Sequence, residues 1–179
     1  MNRQEVLKRK HVGGVEILLL DAPGEKVNKL TEGLIQEFSD TLDQLEADET
    51  IQGVLIISGK ERNFIAGADI AMFQKRETIE EFTELSRLGQ QILNRIENLN
   101  KPVVCGIHGS CMGGGTELAL ACDYRIVTDD PATKIALPEV RLGLLPGGDA
   151  ADETSWFGGA ACLGPERKRP PACDWGEPG

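Results

Sequence analysis

Positive charge is scarce in this chain. Its 179 residues carry 19 Lys and Arg against 29 Asp and Glu, a formal net charge of −10. A nucleic-acid-binding surface needs clustered basic side chains to meet phosphates, so no nucleic-acid partner is expected. Long apolar runs are also missing. No stretch is long enough to span a bilayer, and the basic segment "MNRQEVLKRKHV" lacks the apolar core of a secretory signal. Cysteines are few and irregular. Five without regular spacing fit a reducing compartment better than a disulfide framework. These absences predict a soluble, cytoplasmic protein of one domain, long enough to bury a sizeable core.

Other absences narrow the chemistry. No Lys-Ser/Thr follows the glycines of Gly109–Gly115, so the run is not a phosphate-binding P-loop. Ser110 has no glycine two positions before it and is not a G-x-S-x-G nucleophile. Cys105, His108 and Cys111 form C-x2-H-x2-C, with Cys122 further on, but the second half of a zinc motif is missing. Cys105 also falls within an apolar strand pattern, where small buried cysteines are common. No metal is expected, and His108 reads as a structural loop histidine.

What is present is an alternation of strands and helices. "VEILLLDAP" (Val15–Pro23) and "GVLIISG" (Gly53–Gly59) read as buried strands, each ended by a turn. Between them, Leu34, Ile35, Phe38, Leu42 and Leu45 fall on one helical face, with Thr31 as a cap. "RNFIAGADIAMF" reads as a loop of small residues. A long helix follows, with a capping box at Thr78 and Glu81 and an apolar stripe of Ile79, Phe82, Leu85, Ile92, Ile96 and Leu99. Next come strand "PVVCGIHG", the glycines, helix "TELALACD" and strand "YRIVTDD", then a short strand and loop in "ATKIALPEVRLGLLPGG". Continuous apolar strands between helices predict an α/β fold whose sheet is covered on both faces. No short-period repeat is evident.

The segment "GIHGSCMGGGTELALACD" concentrates the chemical interest. Gly113, Gly114 and Gly115 lie at a helix entrance, separated from Glu117 by one residue. A helix N-terminus offers unpaired N–H groups and partial positive charge, and glycine lets a ligand approach them closely. The pattern suits an oxygen that becomes anionic during reaction, with a carboxylate beside it for acid–base work. The plainer alternative is that the glycines permit close packing and Glu117 is an ordinary first-turn acid. A second acid, Glu139, sits in "LPEV", where it is either a site residue or a solvated loop acid. The loop "FIAGADI" could aim further N–H groups at the same point.

Several motifs together resemble one family. "LDAPGEKVNKL", "NFIAGADI" and "HGSCMGGGTELALACDYRIVTDDPATKIALPEVRLGLLPG" occur in the order and spacing of the enoyl-CoA hydratase/isomerase (crotonase) superfamily, over about Val15 to Gly148. They are most similar to its multifunctional members in fatty-acid β-oxidation. The resemblance implies a right-handed spiral of repeated ββα units and acyl-CoA thioester substrates. It implies an oxyanion hole from the N–H groups of Ala68 and Gly114, with Glu117 and Glu139 as the catalytic carboxylates that handle a water. Ala66, Gly67, Asp69, Gly113 and Gly115 would line the substrate. It implies no metal or redox cofactor, and a trimer-based homo-oligomer or a place in a fatty-acid oxidation complex. Two glutamates favour hydration over double-bond isomerisation, which stays open as an alternative. Lys26 and Lys29 are candidates for the coenzyme A phosphates, or plain surface charge.

The pattern stops at one point. After Gly148, "DAADETSWFGGAACLGPERKRPPACDWGEPG" loses its apolar periodicity and holds both tryptophans of the chain. The family usually continues there with glycines, an Arg-Leu and a helix. Asp149–Thr154 can be encoded so that the next frame reads Met-Gln-Gln-Thr-Arg, which resembles that continuation. The expectation is therefore an incomplete, C-terminally truncated crotonase core over residues 1–148 and a disordered or frameshifted tail over 149–179. The competing function is a non-catalytic remnant that binds acyl-CoA without turnover.

Overall fold

The computed structural model describes residues 5–139. Twelve elements run in the order β1 (Leu7–Val12), β2 (Val15–Leu20), α1 (Glu32–Ala47), β3 (Gly53–Ser58), β4 (Asn63–Ile65), α2 (Ile70–Gln74), α3 (Ile79–Glu97), β5 (Val103–Ile107), β6 (Ser110–Met112), α4 (Gly114–Ala121), β7 (Tyr124–Val127) and β8 (Lys134–Ala136). They form two sheets. The larger has the order β1-β2-β3-β5-β7, and the smaller β4-β6-β8. From β3 onward each strand of the large sheet is followed directly by one of the small sheet. The chain therefore advances by strand-strand-helix turns, the ββα spiral that the resemblance implies.

β1 was not evident from the sequence. Its residues Lys8, Arg9, Lys10 and His11 are exposed, and charge on an edge strand discourages pairing with other chains. The legible signal was the turn: Gly13 and Gly14, with φ of 55° and 82°, make the two-residue connection that pairs Val12 with Val15 in an antiparallel hairpin. β2, β3, β5 and β7 then pair in parallel.

The sheet's cover is uneven, which corrects the expectation of two covered faces. Leu18, Leu20, Val54, Ile56, Val103, Cys105 and Ile107 are buried, whereas Ile17, Leu19, Leu55 and Ile57 on the other face are only half-buried. α1 presents Leu34, Ile35, Phe38, Leu42 and Leu45 to the core, and the Thr31 hydroxyl caps it by accepting from the Leu34 N–H at 3.1 Å. α3 lies beside α1, tied by Arg95 to Asp43 at 2.6 Å and Glu46 at 3.1 Å. The Thr78–Glu81 capping box is present.

The apolar stripe of α3 needs correction as well. Leu85, Ile92 and Ile96 are buried and Leu99 packs against the core, but Ile79 is 81% and Phe82 40% exposed. The first turn of α3 packs on α2 instead, where Phe82 stacks on Phe73, ring centroids 6.5 Å apart. Residues 62–73, read as loop, contain β4 and all but the last residue of α2. Three- and five-residue elements are too short for periodicity to reveal. α4 starts at Gly114, two residues earlier than the apolar pattern indicates. No described helix is long and apolar enough to cross a membrane, and the segment 149–179 lies outside the described residues.

One ion-pair cluster joins three parts of the fold. Asp21, just after β2, accepts from Lys8 of β1 at 2.7 Å and from Lys60 of the β3–β4 turn at 2.8 Å. Hydrogen bonds from Lys60 and then Lys8 lower its pKa from 3.8 to about 2. A depressed carboxyl pKa contributes stability above the unfolded-state value and loses it as pH falls through the folded value. Asp21 therefore contributes above about pH 4 and progressively less towards about pH 2. In denaturant titrations across this window, Asp21→Asn should be less stable than the wild type at neutral pH and flatten the acid-side slope. An unchanged slope would show that the cluster does not couple to folding.

Candidate active site

The small sheet sets the geometry. β4 pairs with β6 and β6 with β8, all in parallel, with Ile65 opposite Cys111 and Met112 opposite Ala136. Their C-terminal ends therefore lie along one edge. The chain leaves that edge as residues 66–69, 113–117 and 137–139. The crevice outside the carboxyl ends of parallel strands is where α/β sheets commonly bind ligands. All nine sequence-predicted site residues are on these three segments.

The first segment is held by a single parallel bridge between Leu30 and Ala68. The Leu30 N–H donates to the Gly67 carbonyl at 2.9 Å, and the Asp69 N–H donates to the Leu30 carbonyl at 2.9 Å. A parallel bridge uses the groups on either side of the bridged residue. The N–H of Ala68 itself is therefore directed away from Leu30. Ala66 is exposed, and its N–H donates to the Asn28 carbonyl at 2.8 Å. Asp69 serves the scaffold: it caps α2 through the Ala71 N–H at 3.2 Å and pairs with Lys29 at 3.6 Å.

The second segment starts α4. Gly113 donates to the Ala136 carbonyl at 2.9 Å and accepts from Thr116 at 2.7 Å and Glu117 at 3.1 Å. The Gly114 N–H is the first of the helix, a position with no intrahelical acceptor. Gly113 has φ 53° and ψ −124°, a combination costly for any side chain. Close approach dictates Gly115, where a methyl group would stand 2.7 Å from Ile65 Cβ and 2.8 Å from its carbonyl oxygen. Gly115 therefore serves helix–sheet packing. The Thr116 hydroxyl reaches the carbonyls of Cys111 at 3.0 Å and Ala136 at 2.9 Å, fastening α4 to β6 and β8.

The carboxylates arrive at consecutive glycines. A methyl group on Gly113 would lie 2.8 Å from Glu139 Oε1 and 3.8 Å from Gly67 Cα. One on Gly114 would lie 3.7 Å from Glu117 Oε2. Gly67 and Glu139 thus approach Gly113, and Glu117 approaches the next residue, Gly114, though Glu139 is 22 residues beyond Glu117 in the chain. Both side chains are half-buried. Glu139 Oε2 is itself buried and has no hydrogen-bond partner among the described residues. A buried carboxylate oxygen without a donor is costly, and such atoms mark places where a proton or a polar ligand is accommodated.

Leu30 was missed by sequence reasoning. It supplies both backbone groups of the bridge, and its Cδ1 would stand 2.7 Å from a methyl on Gly114. Its only signal was its place within "NKL", beside a helix cap. His108 bonds through Nε2 to the Lys60 carbonyl, a structural contact. Cys105 and Cys122 direct their sulfurs to the α4 carbonyls of Ala119 and Leu118, and burial pushes the Cys111 thiol up to about 12. Among the described residues no three His, Cys, Asp or Glu side chains are grouped to hold a metal ion.

The Gly113 turn can be tested by stability. Gly113→Ala meets both an unfavourable φ and the Glu139 carboxylate. Gly24→Ala meets a positive φ of 75° in open space. Backbone strain alone costs about 1–3 kcal/mol. Urea denaturation should show Gly113→Ala to be the more destabilised by at least about 1 kcal/mol. Equal losses would mean that the Gly113 backbone is no more strained by a side chain than that of Gly24 and that the Glu139 carboxylate moves aside.

Comparison with known proteins supports the fold. The enoyl-CoA hydratase/isomerase family profile matches residues 11–154. The fatty acid oxidation complex subunit alpha of Idiomarina loihiensis is 48% identical over 75% of this chain, and that of Shewanella oneidensis 47% identical over the same share. The chain spans only 19% of the length of these relatives. Among solved structures, DspI of Pseudomonas aeruginosa superposes with a TM-score of 0.77 at 25% identity, covering 87% of this chain and 62% of that one. An enoyl-CoA hydratase of Bacillus anthracis superposes with a TM-score of 0.73 at 27% identity, covering 80% and 54%. The ββα spiral, the glycine-started helix and the extent of the match lead to one conclusion: this chain belongs to the enoyl-CoA hydratase/isomerase family of enzymes.

Proposed function

We propose that this chain hydrates 2-enoyl-CoA thioesters to 3-hydroxyacyl-CoA, as a β-oxidation enzyme. The observation that carries the proposal is the buried Oε2 of Glu139, without a hydrogen-bond partner among the described residues, beside the glycine turn whose next residue, Gly114, neighbours Glu117. An acceptor in that position suits a water molecule, and a second carboxylate suits the second proton transfer that hydration requires.

In the proposed reaction the two glutamates hold a water near C3. One carboxylate takes a proton from the water as its oxygen bonds to C3. The C2=C3 electron pair moves towards the thioester, forming an enolate. The other glutamate, as a carboxylic acid, delivers a proton to C2. The N–H groups of Ala68 and Gly114 donate to the thioester oxygen, where the negative charge builds. Fixed donors favour the enolate because they need no reorganisation when it forms. The net change is the addition of H and OH, with no external oxidant or reductant, so the proposal calls for no redox cofactor. Ala66, Gly67, Gly113 and the backbone around Asp69 would line the acyl path.

The same reading assigns residues 1–148 to the catalytic core and 149–179 to a separate tail. It takes the partners to be an acyl-CoA substrate and other subunits, as a homo-oligomer or within a fatty-acid oxidation complex.

Hydration of crotonyl-CoA by this chain is the test. Glu117→Gln and Glu139→Gln should each lower kcat by about 100-fold or more, the usual contribution of a positioned acid or base, with the thioester still bound. If only one substitution abolishes turnover and double-bond migration persists, the reading shifts to an isomerase. Binding without turnover in the wild type would leave an acyl-CoA-binding protein.

A further inference from the structure

The donor segment at Ala68 is anchored by a residue outside the catalytic constellation. Asn28 is fully buried, with 0% exposure. Its Nδ2 lies 2.9 Å from the Leu20 carbonyl, 2.9 Å from Ser58 Oγ and 3.2 Å from the Phe64 carbonyl. Its Oδ1 accepts from the Ala22 N–H at 3.0 Å. Its backbone N–H donates to Asn63 Oδ1 at 2.7 Å, and its carbonyl accepts from the Ala66 N–H at 2.8 Å. Asn63 continues the network, donating to the Ser110 carbonyl at 3.1 Å and to its hydroxyl at 2.9 Å. Ser58 closes it by donating to the Asn63 carbonyl at 2.6 Å.

One amide thus touches the ends of β2 and β3 and the middle of β4, and reaches the start of β6 through Asn63. The Ala66 N–H, held by the backbone carbonyl of Asn28 rather than by its amide, lies two residues before Ala68. Leu30, two residues after Asn28, makes the bridge on the other side. The loop is clamped at both ends by the same three-residue segment, Asn28 to Leu30. A buried amide whose donors and acceptor are all engaged specifies geometry more than it adds hydrophobic stability.

We propose that Asn28 is the positioning residue for the oxyanion donor at Ala68: its side-chain amide pins the Asn28–Leu30 backbone between the two sheets, and that backbone holds the 66–69 segment so that the Ala68 N–H keeps one direction. The catalytic consequence rests on the hydratase reading; the positioning itself does not.

The experiment uses the whole chain and a dimethylaminocinnamoyl-CoA probe, whose absorption moves to longer wavelength when its carbonyl is polarised by hydrogen bonds. Asn28→Ala is compared with Leu45→Ala, which removes a fully buried α1 side chain far along the chain from the loop. In Asn28→Ala the red shift should be lost. The kcat for crotonyl-CoA should fall about 100-fold, as when one oxyanion donor is removed, with KM within about threefold. Amide hydrogen exchange at Ala66 and Asp69 should quicken about tenfold or more. Leu45→Ala should lose stability without moving the red shift or those two amides. The inference is overturned if Asn28→Ala leaves both readouts unchanged, or if Leu45→Ala shifts them equally. If the wild type neither hydrates crotonyl-CoA nor shifts the probe, the hydratase reading falls, and exchange at Ala66 and Asp69 alone decides the positioning. Should Asn28→Ala fail to fold, Ser58→Ala removes a single hydroxyl from the network and should show the same pattern at about a tenfold loss of kcat.

Discussion

Everything at the candidate site depends on the parallel pairing of three short strands, β4, β6 and β8. Each is only three residues long, so hydrogen bonding within the small sheet is limited. Depth holds β4 and β6, whereas β8 is half-buried at Ile135 and exposed at Lys134 and Ala136. Phe64, Ile65 and Cys111 are fully buried, and Asn63 nearly so. Parallel pairing then brings three segments, distant in sequence, to one edge. Antiparallel pairing of β6 with either neighbour would send one of the three to the opposite edge and separate the glycines from a carboxylate or from the Ala68 loop. The large sheet is the frame that makes this pairing repeat, because each of β3, β5 and β7 hands the chain to its small-sheet successor within a few residues.

Backbone and side chains divide the work within that frame. The proposed oxyanion donors are backbone groups, so their position is set by strand register and by the helix start rather than by side-chain identity. The carboxylates have torsional freedom and are limited by what surrounds them. Gly113 admits Glu139 because it has no side chain, and its positive φ turns the chain from β6 into α4 within a single residue. The same absence of a Cβ therefore serves the turn, the carboxylate and the exposure of the first-turn N–H groups. Gly115, one residue further, answers a different demand, the contact of α4 with Ile65. Three adjacent identical residues carry distinct physical constraints.

Much of this was legible in the sequence, for identifiable reasons. α1 and the buried part of α3 show long 3.6-residue periodicity and side-chain caps, so Thr31 and the Thr78–Glu81 box mark their starts. β2, β3 and β5 are apolar runs bounded by turns. The glycine cluster and Glu117 stood out because flexible backbone next to an acid is unusual in a buried helix. β4, β6 and α2 did not stand out, since three to five residues contain less than two turns of any period. β1 was hidden by its charge. The ββα repeat was invisible because its strands recur unevenly: β3, β5 and β7 begin at residues 53, 103 and 124, and α3 fills the longer gap. The exposure of Ile79 and Phe82 was illegible because periodicity gives a helix face but not what that face packs against.

The approach of Glu139 to the glycine turn that precedes Glu117 was beyond local sequence reasoning, and the way it arises bears on how the site can vary. Between them lie β7, a turn and β8, and none of these residues needs to touch a substrate. Their task is to carry the chain once around the spiral and return it one strand further along the small sheet. Insertions in such a connection change neither the Met112–Ala136 pairing nor the distance from Gly113 to Glu139, provided the strand re-enters in register. The same holds for the much longer excursion through α2 and α3 between the Ala68 loop and Gly113. Asn28 is the exception, because it contacts several turns of the spiral at once through a fixed set of hydrogen bonds. A change there cannot be absorbed by a loop. The site therefore combines connections that tolerate variation with one buried polar junction that does not, and the direction of the Ala68 N–H is tied to the second.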